Sequence, residues 1–599
     1  MTKKRDEVKN EDKWNVEALF KTPNEWQEAF SAIADKKPLF ENAIFFKGKL
    51  KEDPETFKNA FETVLDLSRV LSKLYTYAHL RHDEDIANDA FKVAFVQISS
   101  LMHAFAEAIS WFEPEIIAMD EAVLNEIVNS PLLKPYRFAI EKIARIKKHT
   151  LPEEQEQLLA IAGKALETPH HAFSALNDAD FKFEDAIDSK GNKKPLTHAL
   201  FGLYLRDQDR TLRKSAFQNV LQKYEGFENT LTEILNGQVQ AHWLNARARH
   251  YSSSLEASLF PKNIEPEVYH SLIDAVNSKL PVLHNYFKLR EKILGIGKLH
   301  IYDTQVPLTK DLDIKMDYSE AEDIIIESVL PLGTDYQNKL KDGLKNKRWA
   351  DRYENQNKRS GAYSSGCFDS EPYILMNYKG ILRDVFTLAH EAGHSMHSLL
   401  SRKNQPYHYS DYPIFLAEVA STFNEELLMQ TLLKRFTKKE EQIFLINQKI
   451  EDIRATLFRQ TCFAEFELFI HQMAEQNIPL TPKLLKEEYR KLTAKYYGDF
   501  VTLDPEIDIE FARIPHFYYN FYVYQYATGI SAALSLAEKV LKGGEKERDA
   551  YLSFLKAGSS DYPIEILKKA GVDMRSKEPV NSAIEKFEGL VKKLEALHI

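Results

Sequence analysis

The chain has 599 residues, too many for one hydrophobic core, so two or more compact units are expected. Hydrophobic residues make up 44% and charged residues 28%, with 21 Gly and 23 Pro, which describes a folded, helix-rich globular protein and excludes a disordered or fibrous one. The net charge of −10, with no basic block interleaved with aromatics, argues against nucleic acid as a partner.

The opening residues, MTKKRDEVKNEDKW, are charged and lack the apolar stretch of a secretory signal. Two cysteines, Cys367 and Cys462, cannot build a disulfide framework, so a reducing, cytoplasmic setting is expected. Apolar residues then recur at three and four over 24–35, 54–82, 84–113, 120–129, 153–165, 209–247, 265–294 and 318–330, predicting helices. The most apolar stretch, 94–112, is interrupted by Gln97, His103 and Glu107 and reads as an amphipathic helix, so no membrane partner is expected. Residues 176–197 read as a hairpin or loop. They suggest a boundary between an N-terminal helical domain, 1–197, and a catalytic domain, 198–599.

Between 331 and 380 the pattern changes, with glycines at 333, 343, 361, 366 and 380 and a short strand pattern from Pro372 to Tyr378. Such a strand could offer an open edge to an extended peptide. The Gly361–Gly366 segment, SGAYSSG with its flanking serine, reads as a mobile loop over a substrate, with an ordinary hairpin turn as the plain alternative. It lacks the Gly-Lys-Ser/Thr ending of a phosphate-binding loop.

Residues 381–400, ILRDVFTLAHEAGHSMHSLL, contain HEAGH, a match to H-E-x-x-H. Four residues apart on a helix, His390 and His394 lie about 40° apart and roughly 6 Å along the axis, so both can reach one ion. Glu391 is turned about 100° from His390, off the ion but near the water it would activate, the place for a general base. A catalytic zinc takes three protein ligands and one open position. His397 is roughly 10 Å along the axis from His390, which makes it a packing or outer residue rather than a ligand. The next helical pattern, 414–432, carries Glu418 in an apolar turn, and a carboxylate facing a core needs a cation. Glu418, 28 residues after His390, is therefore the expected third ligand, with Glu425 as hydrogen-bond acceptor to a ligand imidazole.

Further helices are expected over 437–475 and 482–496, followed by RIPHFYYNFYVYQYATG at 513–529. A helix over 516–530 would put Tyr519 and Tyr526 on one face with His516 nearby. An aromatic core stripe is the plain alternative for this segment. A polar wall of tyrosine hydroxyls beside a reacting carbonyl is the functional one, since Tyr O–H or His N–H can stabilise an oxyanion.

Taken together, HEAGHSMH, LAEVASTFNE and RIPHFYYNFYVYQYATG resemble the thimet oligopeptidase and oligoendopeptidase F family of zinc peptidases, closest to the oligoendopeptidase F branch. The resemblance runs from WNVEALF at 14–20 through KRSGAYSSG at 358–366 to YLSFLKAGSSDYPIEILKKAG at 551–571. It implies a mainly α, two-lobed helical fold around a deep substrate channel, with a small β-sheet beside the HExxH helix. It implies one Zn(2+) per chain on His390, His394 and Glu418, with Glu391 as base. The oxyanion and substrate would be held by His516 and Tyr526, with Tyr519, Tyr522, Tyr524, Gly361 and Tyr363 as further substrate contacts. The implied activity is endopeptidase cleavage of short unstructured peptides. The alternatives are a metallocarboxypeptidase of related fold, an aminopeptidase, whose G-x-M-E-N is missing here, and an inactive peptide-binding protein. Neither cysteine has a catalytic constellation around it, which sets a cysteine protease aside.

Overall fold

A computed structural model describes residues 2–36, 38–309, 312 and 314–598. It is 71% helix and 3% strand. The elements that matter below are α1 (Pro54–Glu84), α2 (Asp89–Ala108), α3 (Glu228–Ala248), β1 (Ala350–Asp351), β2 (Tyr363–Ser365), β3 (Tyr373–Leu375), α4 (Leu382–Asn404), α5 (Ile414–Arg435), α6 (Arg459–Glu475) and α7 (Tyr524–Lys542).

Two compact units emerge from the packing: Met1–Thr150 with Asp313–Leu432 and Leu536–Gly571, and Leu151–Leu312 with Leu433–Ser535 and Val572–Ile599. The boundary expected near residue 197 falls inside the second unit. The stretch around it does form the expected hairpin, Ala186–Ile187 against Lys193–Lys194, turning at Gly191 with φ +80°.

In the first unit α1 starts at Pro54 behind Asp53, whose carboxylate accepts the Glu55 and Thr56 N–H groups. α1 packs along α2, and their core of Leu74, Tyr77, Ile98 and Leu101 extends to Tyr373 and Leu375 of β3. By length and composition alone, Asp89–Ala118 could cross a membrane. Lys92, Gln97, His103 and Glu107 on the exposed face of α2, opposite buried Ile98, Leu101 and Phe105, instead give the amphipathic pattern read from the sequence.

The sheet of this unit runs β1-β3-β2, with β1 parallel and β2 antiparallel to β3. This corrects one expectation. The strand before the HExxH helix, β3, is interior and buried at all three residues, so the open edge on the β2 side belongs to β2. Asp384 starts α4 by accepting the Lys379 N–H at 2.6 Å. α4 then packs on both β2 and β3.

In the second unit the expected helix 209–247 is two, Arg210–Glu225 and α3, broken at Gly226 and Phe227. The expected helix 516–530 is also wrong. Pro515–Tyr518 forms a short 3-10 turn and the helix resumes only at Tyr524. Between them Asn520 and Phe521 adopt φ 45° and 56°, left-handed conformations that cost about 1–3 kcal/mol each in non-glycine residues.

Glu467 of α6 is 0% exposed, and burial pushes its carboxyl up to about 8. Among the described residues no charged group faces it. Tyr269 and the Phe521 N–H do, and His471 one turn on is held neutral by burial, pushed down to about 4. Between the ordinary Glu value of about 4.3 and about 8 the folded chain keeps a proton that the unfolded chain releases, so stability falls as pH rises through that window. Glu467→Gln removes this titration. Thermal unfolding from pH 5 to 9 should show the variant gaining on the parent up to about pH 8, by a few kcal/mol on the order-of-magnitude scale of the shift. A constant difference across that range would refute the buried neutral acid.

Candidate metal centre and aromatic cluster

α4 carries His390, Glu391 and His394, and α5 brings Glu418. The two helices meet at Gly393, where a Cβ would lie 2.7 Å from the Ala420 carbonyl oxygen and 2.7 Å from Ser421 Cα. No other residue permits this approach without a shift. The contact sits two and three residues beyond Glu418 on α5 and one residue before His394 on α4, so the glycine of HEAGH sets how close the third donor comes.

The His390 and His394 Nε2 atoms face each other at 3.2 Å, and Glu418 Oε2 lies 3.4 Å from the first and 3.8 Å from the second. Bonds of about 2.0 Å at tetrahedral angles place donor atoms roughly 3.3 Å apart, so the set fits one zinc-sized ion. Among the described residues this is the one group of three or more His, Cys, Asp or Glu donors close enough to hold a metal. The Glu418 side chain is 50% exposed, which corrects the expectation that it faces a core. Its apolar neighbours Phe415, Leu416, Val419 and Ala420 are buried on the other faces of α5.

Glu425 accepts the His390 Nδ1–H at 2.5 Å. Burial opposes a charge on His390, but Glu425 and the nearby carboxylates outweigh it and raise its pKa to about 9. With Nδ1 so occupied, Nε2 points at His394 and Glu418. Burial, then the neighbouring His390, lowers His394 to about 4. Glu391 is 7% exposed, and burial raises it to about 7, against the pull of His390 and a Ser364 backbone hydrogen bond.

That serine belongs to β2, so the edge strand touches Glu391 directly. Ser364 Oγ also lies 2.8 Å from Ser395 Oγ of α4. Tyr363, expected to contact substrate, donates its hydroxyl to Asp83 of α1 at 2.8 Å, and Asp83 pairs further with His79 and Arg359. Gly361 has φ +86°, and its carbonyl accepts from Asn377 at 2.9 Å. His397 is packing, as its distance along the helix required. It is 0% exposed and stacked on Tyr412, with ring centroids 3.6 Å apart.

The second unit holds the aromatic cluster. His516 Nε2 lies 3.3 Å from the Tyr526 hydroxyl, and its ring packs against Tyr519, Tyr522 and Tyr526 at 5.9, 6.2 and 5.7 Å. Burial lowers the His516 pKa, which favours the neutral imidazole. Tyr519 is 47% exposed. Tyr524 does not belong with them, contrary to expectation: it is 1% exposed, packed on Tyr269 at 5.2 Å, and is a core residue.

Sequence reasoning gave no role to Ser364 and Ser395, although they lie inside SGAYSSG and HEAGHSMH, and it missed Asp83 and Glu467, which stand in no motif. Gly393 did carry a signal, a glycine inside a helical pattern, which marks close backbone approach.

Residues 203–586 match Peptidase family M3, and residues 115–183 match Oligopeptidase F. Oligopeptidase PepF of Bacillus subtilis (strain 168) is 44% identical over 594 residues, covering 99% of this chain and 88% of that protein. A crystal structure from Chlamydophila abortus shares 43% identity and a TM-score of 0.96 over 100% of both chains. The structure of oligoendopeptidase-F from Enterococcus faecium shares 36% identity and a TM-score of 0.72, over 96% of this chain and 99% of that one. Agreement at this length, in sequence and in fold, shows that the chain belongs to peptidase family M3, in its oligopeptidase F branch.

Proposed function

We propose that this protein is a zinc-dependent endopeptidase that cleaves internal bonds of short, unstructured oligopeptides in the cytoplasm, with residues 198–599 as its catalytic region. The observation that carries this reading is the His390, His394 and Glu418 donor set, with Glu391 beside it and Glu425 behind it. Membership of the family supports peptide hydrolysis, the match over 203–586 supports the catalytic region, and two buried free cysteines support a reducing setting.

Zinc held by His390, His394 and Glu418 would supply Lewis acidity, acidifying water toward neutral pH and polarising a peptide carbonyl. The remaining steps belong to the chain. Glu391 takes a proton from water as its oxygen adds to the carbonyl carbon, then delivers that proton to the leaving amine. Glu425 keeps His390 in the tautomer that leaves Nε2 free. Tyr526, with His516, donates to the oxyanion, and Tyr519 and Tyr522 contact substrate. The open edge of β2 offers main-chain hydrogen bonds to an extended peptide, which gives grip with little side-chain selectivity.

An internally quenched peptide of about ten residues, blocked at both termini, tests this; that length suits an extended ligand of a single edge strand. We expect internal cleavage that a chelator abolishes and added zinc restores, with products identified by mass. Failure to cut the blocked peptide, with residues removed from a free C-terminus instead, would replace the endopeptidase with a carboxypeptidase.

A further inference from the structure

The turn that joins His516 and Tyr519 to Tyr522 and Tyr526 is left-handed at two successive non-glycine residues, Asn520 and Phe521. Such backbone persists only where its surroundings over-determine it, and here they are identifiable. The Asn520 carbonyl accepts from Ser258 Oγ at 2.8 Å, and the Phe521 N–H donates to Glu467 Oε1 at 2.6 Å. The Phe521 ring is 1% exposed, packed against Tyr269 at 5.5 Å and His471 at 4.5 Å.

Among the described residues the Phe521 N–H is the one hydrogen-bond partner of the buried Glu467 carboxyl. Its Oε2 has no hydrogen-bond partner among the described residues. The main chain that carries Glu467 is tied down within the same unit. His471 Nδ1 bonds the Glu467 carbonyl at 2.8 Å, and His471 Nε2 lies 3.1 Å from His242 Nδ1 on α3. His242 in turn hydrogen-bonds the Tyr518 backbone, so the same group of residues also holds the segment just before the turn. A buried acid that is neutral and supplies one acceptor to one strained N–H is a device for fixing backbone direction.

We propose that Glu467 is a positioning residue for peptide hydrolysis: by capturing the Phe521 N–H it locks the Asn520–Phe521 turn and sets the direction of Tyr522 and Tyr526 relative to His516. It acts through those residues and does not touch substrate. The inference rests on the reading that Tyr526 and His516 serve the reacting carbonyl.

The test compares Glu467→Gln, which keeps an acceptor of the same shape, with Glu467→Met, which keeps length and loses the acceptor, on the full chain loaded with zinc. The blocked quenched peptide gives kcat and KM, normalised to bound metal. We expect the Gln variant within about twofold of the parent, and the Met variant down at least about tenfold in kcat with KM within about threefold. The Met variant combined with Tyr526→Phe should fall no further than Tyr526→Phe alone, as groups acting through one another are not additive. If kcat survives in the Met variant while Tyr526→Phe is impaired, this inference fails and the function stands. Equal losses in Gln and Met refute the acceptor role. A silent Tyr526→Phe removes the reading beneath it. Should the Met variant not fold, Ser258→Ala releases the other side of the turn, and an unchanged kcat there overturns the proposal.

Discussion

Glu391→Gln should bind zinc as the parent does and hydrolyse peptide at least about a thousandfold more slowly, within the range that a positioned acid–base group supplies. The variant isolates one function. Glutamine has the volume of glutamate and keeps an oxygen to accept the Ser364 backbone hydrogen bond, so α4 and β2 stay in place. Glu391 is not among the three donor residues, so metal content should not change. What is lost is the ability to take a proton and return it. Metal analysis and kcat on the same preparation decide the matter. More than about a tenth of parental kcat with full metal would move the base to another group.

Tyr526→Phe deletes one hydroxyl, the one 3.3 Å from His516 Nε2. We expect kcat to drop about a hundredfold, the usual cost of one oxyanion donor, while KM barely moves. A donor used mainly in the transition state lowers kcat and kcat/KM together. A general packing defect would instead show as lost stability, and removal of one hydrogen bond costs only about 1 kcal/mol of that. An unchanged kcat would transfer the oxyanion role to Tyr522 or His516.

The cluster of candidate metal donors was legible in the sequence because its geometry is largely local. His390, Glu391 and His394 sit on one helix, and helical geometry alone fixes their mutual angles. Glu418 was identified from residue type and position, but its surroundings were misjudged. Its chain neighbours are apolar, yet each lies about 100° further round the helix, so their burial says little about its own. The aromatic segment failed for a different reason. Tyrosines at 519, 522 and 526 mimic helical periodicity, and although asparagine often adopts left-handed backbone, nothing marks it at Phe521, since phenylalanine rarely does. The division into compact units was hidden because each is assembled from separated stretches, while composition follows covalent order. The strand at 373–375 was visible, but which strand forms the edge depends on pairing with residues 350–351 and 363–365.

The Gly393 contact has a bearing on descent. All three candidate donors, Glu391 and Glu425 lie on α4 and α5, between residues 390 and 425, and Gly393 keys the two helices together. Recombination or insertion almost anywhere else in the gene leaves that module whole. The rest of the chain can then vary in the peptides it admits, within the limits set by the His516–Tyr526 segment, while the donor set stays one covalent block.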